Sequence, residues 1–286
     1  MTCSIYWMVS IRLIHLMLLP HSQRHALTLK YFLYKFVWFV LPVSRNTKAQ
    51  RSPFELFLHV TYHLLLAVGK LFVTDVIYYW LLQCLERIGG GDALKENYFL
   101  TIQYIAIFYV SVCCGTFLND AQIALISLIT LDKYEVLPFN DWPVLSLTPR
   151  EFWGKRYNKL VSHLLRESVF EPLRNQFHLS SSYAALGAFI VSGMLHLHVA
   201  KVGFNGNMFA ALLFFVLQGV ACTLEVRFDM KKLPKIVSMF LTQTVLLVTS
   251  PLYLGLFIYA SPTFLQNNPP DFRLPFQIPV PDYCPS

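Results

Sequence analysis

Charged residues are scarce in this sequence. Asp, Glu, Lys and Arg make up 14% of its 286 residues, whereas hydrophobic residues make up 55%. A soluble domain carries about 25% charged residues, and the mean hydropathy of this chain is +0.49. The composition therefore excludes a soluble globular protein and indicates that much of the surface faces lipid.

The signatures of several common enzyme classes are absent as well. The sequence contains no GxSxG, HExxH or GxGxxG motif. These absences exclude the usual hydrolase, zinc-protease and dinucleotide-binding arrangements. Residues 89–91 are three consecutive glycines, but the Gly-Lys-Ser/Thr of a phosphate loop does not follow them, so we predict a tight turn. No internal repeat is present.

The cysteine spacing argues against a disulfide framework and against a metal site. No two cysteines form a CxxC pair, and four of the six lie in or beside apolar stretches. We therefore predict that they are small core residues. The six are Cys3, Cys84, Cys113, Cys114, Cys222 and Cys284.

Long apolar stretches dominate the sequence, and a helix needs about 20 apolar residues to cross a bilayer. We predict an all-α, polytopic helical membrane protein with about six membrane spans, folded as a single domain over residues 1–286. Amphipathic helices at the membrane interface are expected to accompany the spans. The candidate spans are 56–85, 97–119, 175–200, 203–224 and 236–260, with 5–19 as a marginal first span or signal anchor.

The basic residues alternate between the segments that join these spans. Lys and Arg number six in residues 21–53, seven in 132–181 and four in 226–235, and fewer in the segments between. This is the pattern of the positive-inside rule, and it argues against a nucleic-acid partner despite the net charge of +7. We place these three segments in the cytosol and the C-terminus opposite, so that 98–131 crosses once rather than turning back at Asn119.

Two further expectations concern segments around the spans. Residues 29–43 are aromatic and basic and are expected to lie in the membrane interface. The tail 262–286 contains seven prolines and is expected to be extended outside the bilayer. No pattern indicates an oligomeric state.

Polar residues interrupt the apolar stretch 56–85. Lys70 and Asp75 are five residues apart and poorly placed to pair on one helix, so they either line a polar cavity or mark a break at Gly69. His59 and His63 have the spacing of a metal pair or of a stacked face, and no cysteine lies nearby in sequence. We therefore predict no metal site.

Residues Pro149 to Arg174 are predicted to form one amphipathic helix with a basic face. Such a helix either anchors to lipid headgroups or docks an anionic cofactor such as coenzyme A, whose phosphates pair well with Lys and Arg. Its apolar face comprises Trp153, Tyr157, Leu160 and Leu164, and its polar face comprises Lys155, Lys159, Ser162, His163 and Arg166.

His196 is an ionisable residue inside an apolar span, about 20 Å along the helix that starts near Ser182. Such residues mark functional sites by default, although a hydrogen-bonded histidine at a helix contact is an equal alternative. Ser192 and Gly193 are small and allow a neighbouring helix or a substrate to approach. His198 is rotated by about 200° and cannot face the same cavity.

Two linked blocks of the sequence resemble a known family. Pro138-Phe139-Asn140, Ser146-Leu147 and the run Glu151-Phe152-Trp153-Gly154-Lys155-Arg156-Tyr157-Asn158 resemble the first block of the wax synthases. Ser192-Gly193-Met194-Leu195-His196 resembles their SGxxH block. The wax synthases are a branch of the membrane-bound O-acyltransferases that includes fungal terpenoid acetyltransferases, and the close match covers residues 137–201.

The resemblance implies an enzyme of the endoplasmic reticulum that transfers an acyl group from acyl-CoA to a lipophilic alcohol, with no bound cofactor and no metal. It implies that His196 is the catalytic base. We expect Asn158 to position the thioester, and Trp153, Lys155, Arg156 and Lys159 to bind substrate and coenzyme A.

The resemblance leaves the substrates open. Lys155 stands in place of the family's Arg and Tyr157 in place of a second Trp, and Leu197 replaces the acidic residue that plant wax synthases tend to carry after the histidine. The last departure favours acetylation of a terpenoid over the alternative, esterification of a long-chain alcohol. A membrane transporter, which would show paired charges or broken helices in two related halves, is the third alternative.

Overall fold

A computed structural model describes residues 2–18, 28–29, 42–47, 50–114, 116–259 and 282–285, and these are mostly helical. Residues 30–41 of the predicted interfacial segment 29–43 and most of the tail 262–286 lie outside the described residues. Two short strands, β1 (Val43–Arg45) and β2 (Tyr134–Val136), pair antiparallel. The helices are α1 (Thr2–Leu18), α2 (Pro53–Arg87), α3 (Gly91–Glu96), α4 (Tyr98–Cys114), α5 (Phe117–Thr130), α6 (Pro149–Glu151), α7 (Lys159–Leu165), α8 (Glu171–Asn175), α9 (Ser181–Phe204), α10 (Met208–Arg227), α11 (Lys235–Thr249) and α12 (Gly255–Tyr259).

Five helical stretches among the described residues are long and apolar enough to cross a membrane, which confirms the predicted fold class. Helix α1 has 17 residues, or about 26 Å, and is shorter than the bilayer core of about 30 Å. Its Arg12 is buried and donates to Glu167 at 2.6 Å. The five spans are Pro53–Arg87, Tyr98–Thr130, Ser181–Phe204, Met208–Arg227 and Lys235–Leu252.

Helix α2 is continuous from end to end. Ser52 caps its first turn and forms a capping box with Glu55, an arrangement that satisfies backbone donors at a helix start. The helix ends at a glycine turn, in which Gly89 and Gly90 adopt φ of 87° and 83° that favour glycine. The predicted tight turn is confirmed, whereas the break considered at Gly69 does not occur.

Residues 98–130 form one stretch long and apolar enough for the single crossing that the charge pattern predicts. The contacts with α2 run in opposite sequence order. Lys70 contacts Thr116, whereas His63, earlier in α2, contacts Asp120, later in the sequence. Arg51, just before α2, pairs with Asp132, just after α5. The stretch α4–α5 therefore runs antiparallel to α2 without turning back.

One cysteine prediction is wrong. Cys84 and Cys284 form a disulfide, although 200 residues separate them in sequence. Local spacing could not reveal this pair, because the fold alone brings the two ends together. Cys113, Cys114 and Cys222 are free thiols; Cys222 is buried as predicted for a core residue, and the other two are partly buried.

The predicted single helix over 149–174 is also wrong. The segment consists of the short helices α6, α7 and α8, joined by wide π-helical turns at Phe152–Arg156 and Arg166–Phe170. It is interrupted where Tyr157 is extended and Asn158 adopts φ of 43°. Because the helix restarts there with a new register, the two predicted faces do not continue through the segment.

Helices α9 and α10 form a closely packed hairpin. A Cβ atom built on Gly193 would lie 2.7 Å from Leu212 Cδ1 and 3.3 Å from Phe215 Cβ. Gly219 on α10 is equally close to the side chains of Leu186 and Phe189. Small residues allow this approach, so the role predicted for Gly193 is confirmed.

Candidate active site

A cavity of about 860 Å³ lies between the segment 147–170 and four of the span helices. Its walls come from that segment, from α9 and α10, from residues 243–254 and from α4. Most of the lining is apolar, as is usual for ligand sites of this size. Of the predicted site residues, Trp153, Lys155, Asn158 and His196 line it.

His196 lies on α9 with its ring held on three sides. Its Nδ1 is 2.7 Å from the carbonyl oxygen of Ser192, one turn earlier. The ring stacks on Phe215 at 4.0 Å between centroids and meets the edge of Tyr253 at 4.8 Å. Since a carbonyl can only accept, Nδ1 carries the hydrogen and Nε2 carries the lone pair. The ring is thus fixed in the tautomer that can accept a proton.

His198 points elsewhere, as predicted from its position on the helix. It is exposed, is not part of the cavity wall, and accepts a hydrogen bond from the Trp7 indole at 2.8 Å.

The two halves of the first sequence block form one folded unit. Asn140 Oδ1 accepts the backbone N–H of Asn158 at 2.7 Å, and Phe139 O accepts that of Lys159 at 2.9 Å. The backbone N–H of Asp141 donates to Arg156 O at 2.7 Å. The Pro-Phe-Asn run therefore holds the bend that carries Asn158.

Asn158 lies at this bend and is the N-cap residue of α7. Its Oδ1 accepts the backbone N–H of Val161 at 3.3 Å, which is the usual N-cap contact. Its left-handed backbone is one that asparagine tolerates better than most residues. The side chain therefore has a structural role in addition to its place on the cavity wall.

Arg156 and Lys159 do not line the cavity. Arg156 Nε donates to Glu151 Oε1 at 2.6 Å, and its guanidinium also reaches the carbonyl of Asp141 at 3.1 Å. Lys159 lies 3.5 Å from the carboxylate of Asp141. Both cations thus hold the segment's own fold together.

Glu151 is the centre of this local network. It accepts the backbone N–H of Leu147 at 2.9 Å as well as the Arg156 guanidinium. Burial by itself raises the pKa of the Glu151 carboxyl, but these hydrogen bonds and the charge of Arg156 outweigh burial and hold the pKa below its usual value. The carboxylate is therefore ionised at neutral pH.

Three exposed cations lie at the opening of the cavity: Arg150, Lys155 and Arg166. Only Lys155 had been assigned to coenzyme A from the sequence, although Arg166 belonged to the predicted basic face. Arg150 is anchored by its backbone N–H, which donates to the buried Glu225 at 2.8 Å. Lys159 and Arg166 belong to the same predicted basic face, but only Arg166 lines the cavity, because the helix restarts at Asn158 with a new register.

The polar residues of α2 form a separate cluster. Asp120 accepts from Lys70 at 2.5 Å and lies 2.9 Å from His63 Nδ1. The predicted cavity role of Lys70 and Asp75 is not found, because neither lines the cavity. No group of three His, Cys, Asp or Glu side chains able to hold a metal occurs in the part of the chain that the structure describes.

Comparison with known proteins agrees with this geometry. Residues 137–217 match the model of the membrane bound O-acyl transferase family. The chain is 32% identical over 131 residues to acyl-CoA–sterol O-acyltransferase 1 of Arabidopsis thaliana, a match that covers 42% of this chain and 38% of that protein. It is 28% identical over 139 residues to the long-chain-alcohol O-fatty-acyltransferase of Simmondsia chinensis, covering 45% and 37%. It is 35% identical over 94 residues to a probable long-chain-alcohol O-fatty-acyltransferase 7 of Arabidopsis thaliana, covering 29% and 27%.

These matches confirm the resemblance to the wax synthase-like branch of the membrane-bound O-acyltransferases. They include both sequence blocks, and the fold is that of an integral membrane protein. The chain spans less than two fifths of the length of the relatives named here.

Proposed function

We propose that this protein transfers an acyl group from acyl-CoA to the hydroxyl of a lipophilic alcohol. The observation that carries the proposal is His196, held by Ser192 with its Nε2 lone pair available, on the wall of a largely apolar cavity. The cationic opening of that cavity suits the phosphates of coenzyme A. The similarity to named O-acyltransferases supports the same reaction class.

In the proposed reaction, the alcohol oxygen attacks the thioester carbonyl while Nε2 of His196 takes the hydroxyl proton. The tetrahedral intermediate then expels the thiolate of coenzyme A, and the proton passes from His196 to sulfur. One ester bond forms, one thioester bond breaks, and no proton is gained or lost overall. General-base catalysis of this kind contributes about 10²–10⁴-fold.

The cavity suggests how the substrates are arranged. Arg150, Lys155 and Arg166 at the opening would bind the phosphates, while Trp153 and Asn158 on the wall would position the thioester near His196. Arg156 and Lys159 would act indirectly, by holding the segment that carries these groups.

The long-chain alternative is the better choice of substrates. The preference for terpenoid acetylation depends on Leu197 alone, whereas the relatives carry the names of fatty-acyl and sterol acyltransferases. A largely apolar cavity of about 860 Å³ also offers far more space than an acetyl group requires. We therefore propose a long-chain acyl-CoA as donor, with a fatty alcohol or a sterol as acceptor, in the endoplasmic reticulum membrane.

The test is acyl transfer in microsomes that contain the wild type, His196→Ala or His198→Ala. His198 is the matched control because it lies on the same helix and faces away from the cavity. Labelled acetyl-CoA and palmitoyl-CoA are offered with fatty alcohols, sterols and terpenoid alcohols.

We expect ester from palmitoyl-CoA in the wild type and in His198→Ala, and a loss of at least about 100-fold in His196→Ala. Ester formation that survives in His196→Ala would remove this residue as the base. A preference for acetyl-CoA and a terpenoid alcohol would overturn the substrate assignment, and an inactive wild type would overturn the proposed function.

A further inference from the structure

A buried glutamine connects three parts of the cavity region. Gln218 on α10 is fully buried in a membrane span, where a polar side chain is costly unless it is hydrogen-bonded. It does not itself line the cavity. Its Oε1 accepts from the Trp153 indole at 3.3 Å, and its Nε2 donates to Thr249 Oγ1 at 2.7 Å.

In this series of hydrogen bonds, the donor and the acceptor of each bond are determined. An indole N–H can only donate, so the oxygen of the Gln218 amide must face Trp153. The Thr249 hydroxyl lies 2.8 Å from the carbonyl of Val245, to which it donates its only hydrogen. Thr249 therefore accepts from Gln218, and each group in the chain has a fixed role.

The Trp153 ring packs against aromatic residues that surround His196. The ring meets Phe214 and Phe215 at 6.3 and 6.0 Å between centroids. Phe215 in turn stacks on His196 and lies one turn before Gln218 on the same helix. Displacement of the indole would therefore disturb the wall that packs against His196.

We propose that Gln218 is a positioning residue, which fixes the Trp153 indole on the cavity wall beside His196 and ties the segment 152–156 to α10 and α11. The inference rests on the proposed acyl transfer. Gln218 acts through Trp153 and does not contact the substrate.

A double-mutant cycle tests this role with Gln218→Met, Trp153→Phe and the double variant. Methionine keeps the length of the side chain and removes both hydrogen bonds, and phenylalanine removes the indole donor. Gln83→Met is the matched control, because Gln83 lies in the span α2 and not on the cavity wall. Rates and KM values for palmitoyl-CoA are measured per amount of monodisperse protein in detergent.

We expect each single variant to lower kcat/KM about tenfold, and the double variant to lose little more than the worse single variant. A raised KM for the acyl donor should accompany the loss, which a smaller folded fraction alone would not produce. Gln83→Met should retain the wild-type KM.

Additive losses, or wild-type kinetics in Gln218→Met, would overturn the positioning role. If Gln218→Met does not accumulate, the same cycle with Thr249→Val and Trp153→Phe tests the same chain of bonds. An inactive wild type would instead overturn the proposed function, so the two failures are distinguishable.

Discussion

Asn158 combines a backbone conformation and a side chain whose roles can be separated by substitution. Its φ of 43° is one that glycine adopts freely and alanine does not. Asn158→Gly should therefore keep the bend while it removes the amide, whereas Asn158→Ala should lose about 1 kcal/mol more stability. If the amide positions the thioester, both variants should lose activity, and Asn158→Ala should show the lower unfolding temperature of the two in detergent.

A near-normal rate in Asn158→Gly would mean that Asn158 serves only the bend. Equal stability of the two variants would mean that the left-handed backbone costs alanine nothing, against the geometry described here.

At the scale of residues, the sequence identified the groups that form local motifs and missed those defined by distant contacts. His196, Asn158, Trp153 and Lys155 were assigned to the site, and all line the cavity. Gln218 was not found, because nothing in an apolar span indicates that its amide meets an indole 65 residues away. A polar residue within an otherwise uncharged span is the signal that could have identified it.

At the scale of elements, hydropathy and charge predicted the long apolar helices and a single direction for 98–131, because both patterns follow directly from the bilayer. The break in 149–174 could not be predicted, since it depends on bonds from residues 139–141. The pairing of Lys70 was missed for a similar reason. Its partner Asp120 lies on a different span, beyond the reach of any helical spacing argument.

The Lys70–Asp120 pair should stabilise the contact between α2 and α5. The carboxylate of Asp120 is 7% exposed and that of Asp92, which pairs with Lys95 at the surface, is 90% exposed. Asp120→Ala leaves the partly buried Lys70 cation without its carboxylate partner and should cost about 3 kcal/mol. Asp92→Ala is the control and should change little, because exposed pairs contribute about 0–1 kcal/mol.

Thermal unfolding in detergent measures both variants, and Lys70→Met combined with Asp120→Ala should recover part of the loss. An Asp120→Ala protein as stable as the wild type would mean that the pair contributes no stability to the packing of α2 against α5.

At the scale of the whole molecule, segments predicted for the same side of the membrane contact one another. Strand β1 pairs with β2, and both belong to segments assigned to the cytosol by their basic residues. At the other end, Gly91 approaches the Tyr259 backbone, Gly206 approaches Leu256, and Cys84 is bonded to Cys284. Disulfides persist in oxidising compartments such as the lumen of the endoplasmic reticulum, so the bond and the charge pattern indicate the same orientation.

This orientation predicts which reductants can reach the disulfide. In sealed microsomes, whose outer face is cytosolic, a membrane-impermeant phosphine should leave Cys84–Cys284 intact, and it should reduce the bond once detergent opens the vesicles. Alkylation with a large maleimide reports the two new thiols as a gel shift, and Cys284→Ser, which cannot form the bond, provides the control. Reduction of the disulfide in sealed vesicles would mean that the protein has the opposite orientation. The cationic opening formed by Arg150, Lys155 and Arg166 would then face the lumen, away from the cytosolic supply of acyl-CoA that the proposed reaction requires.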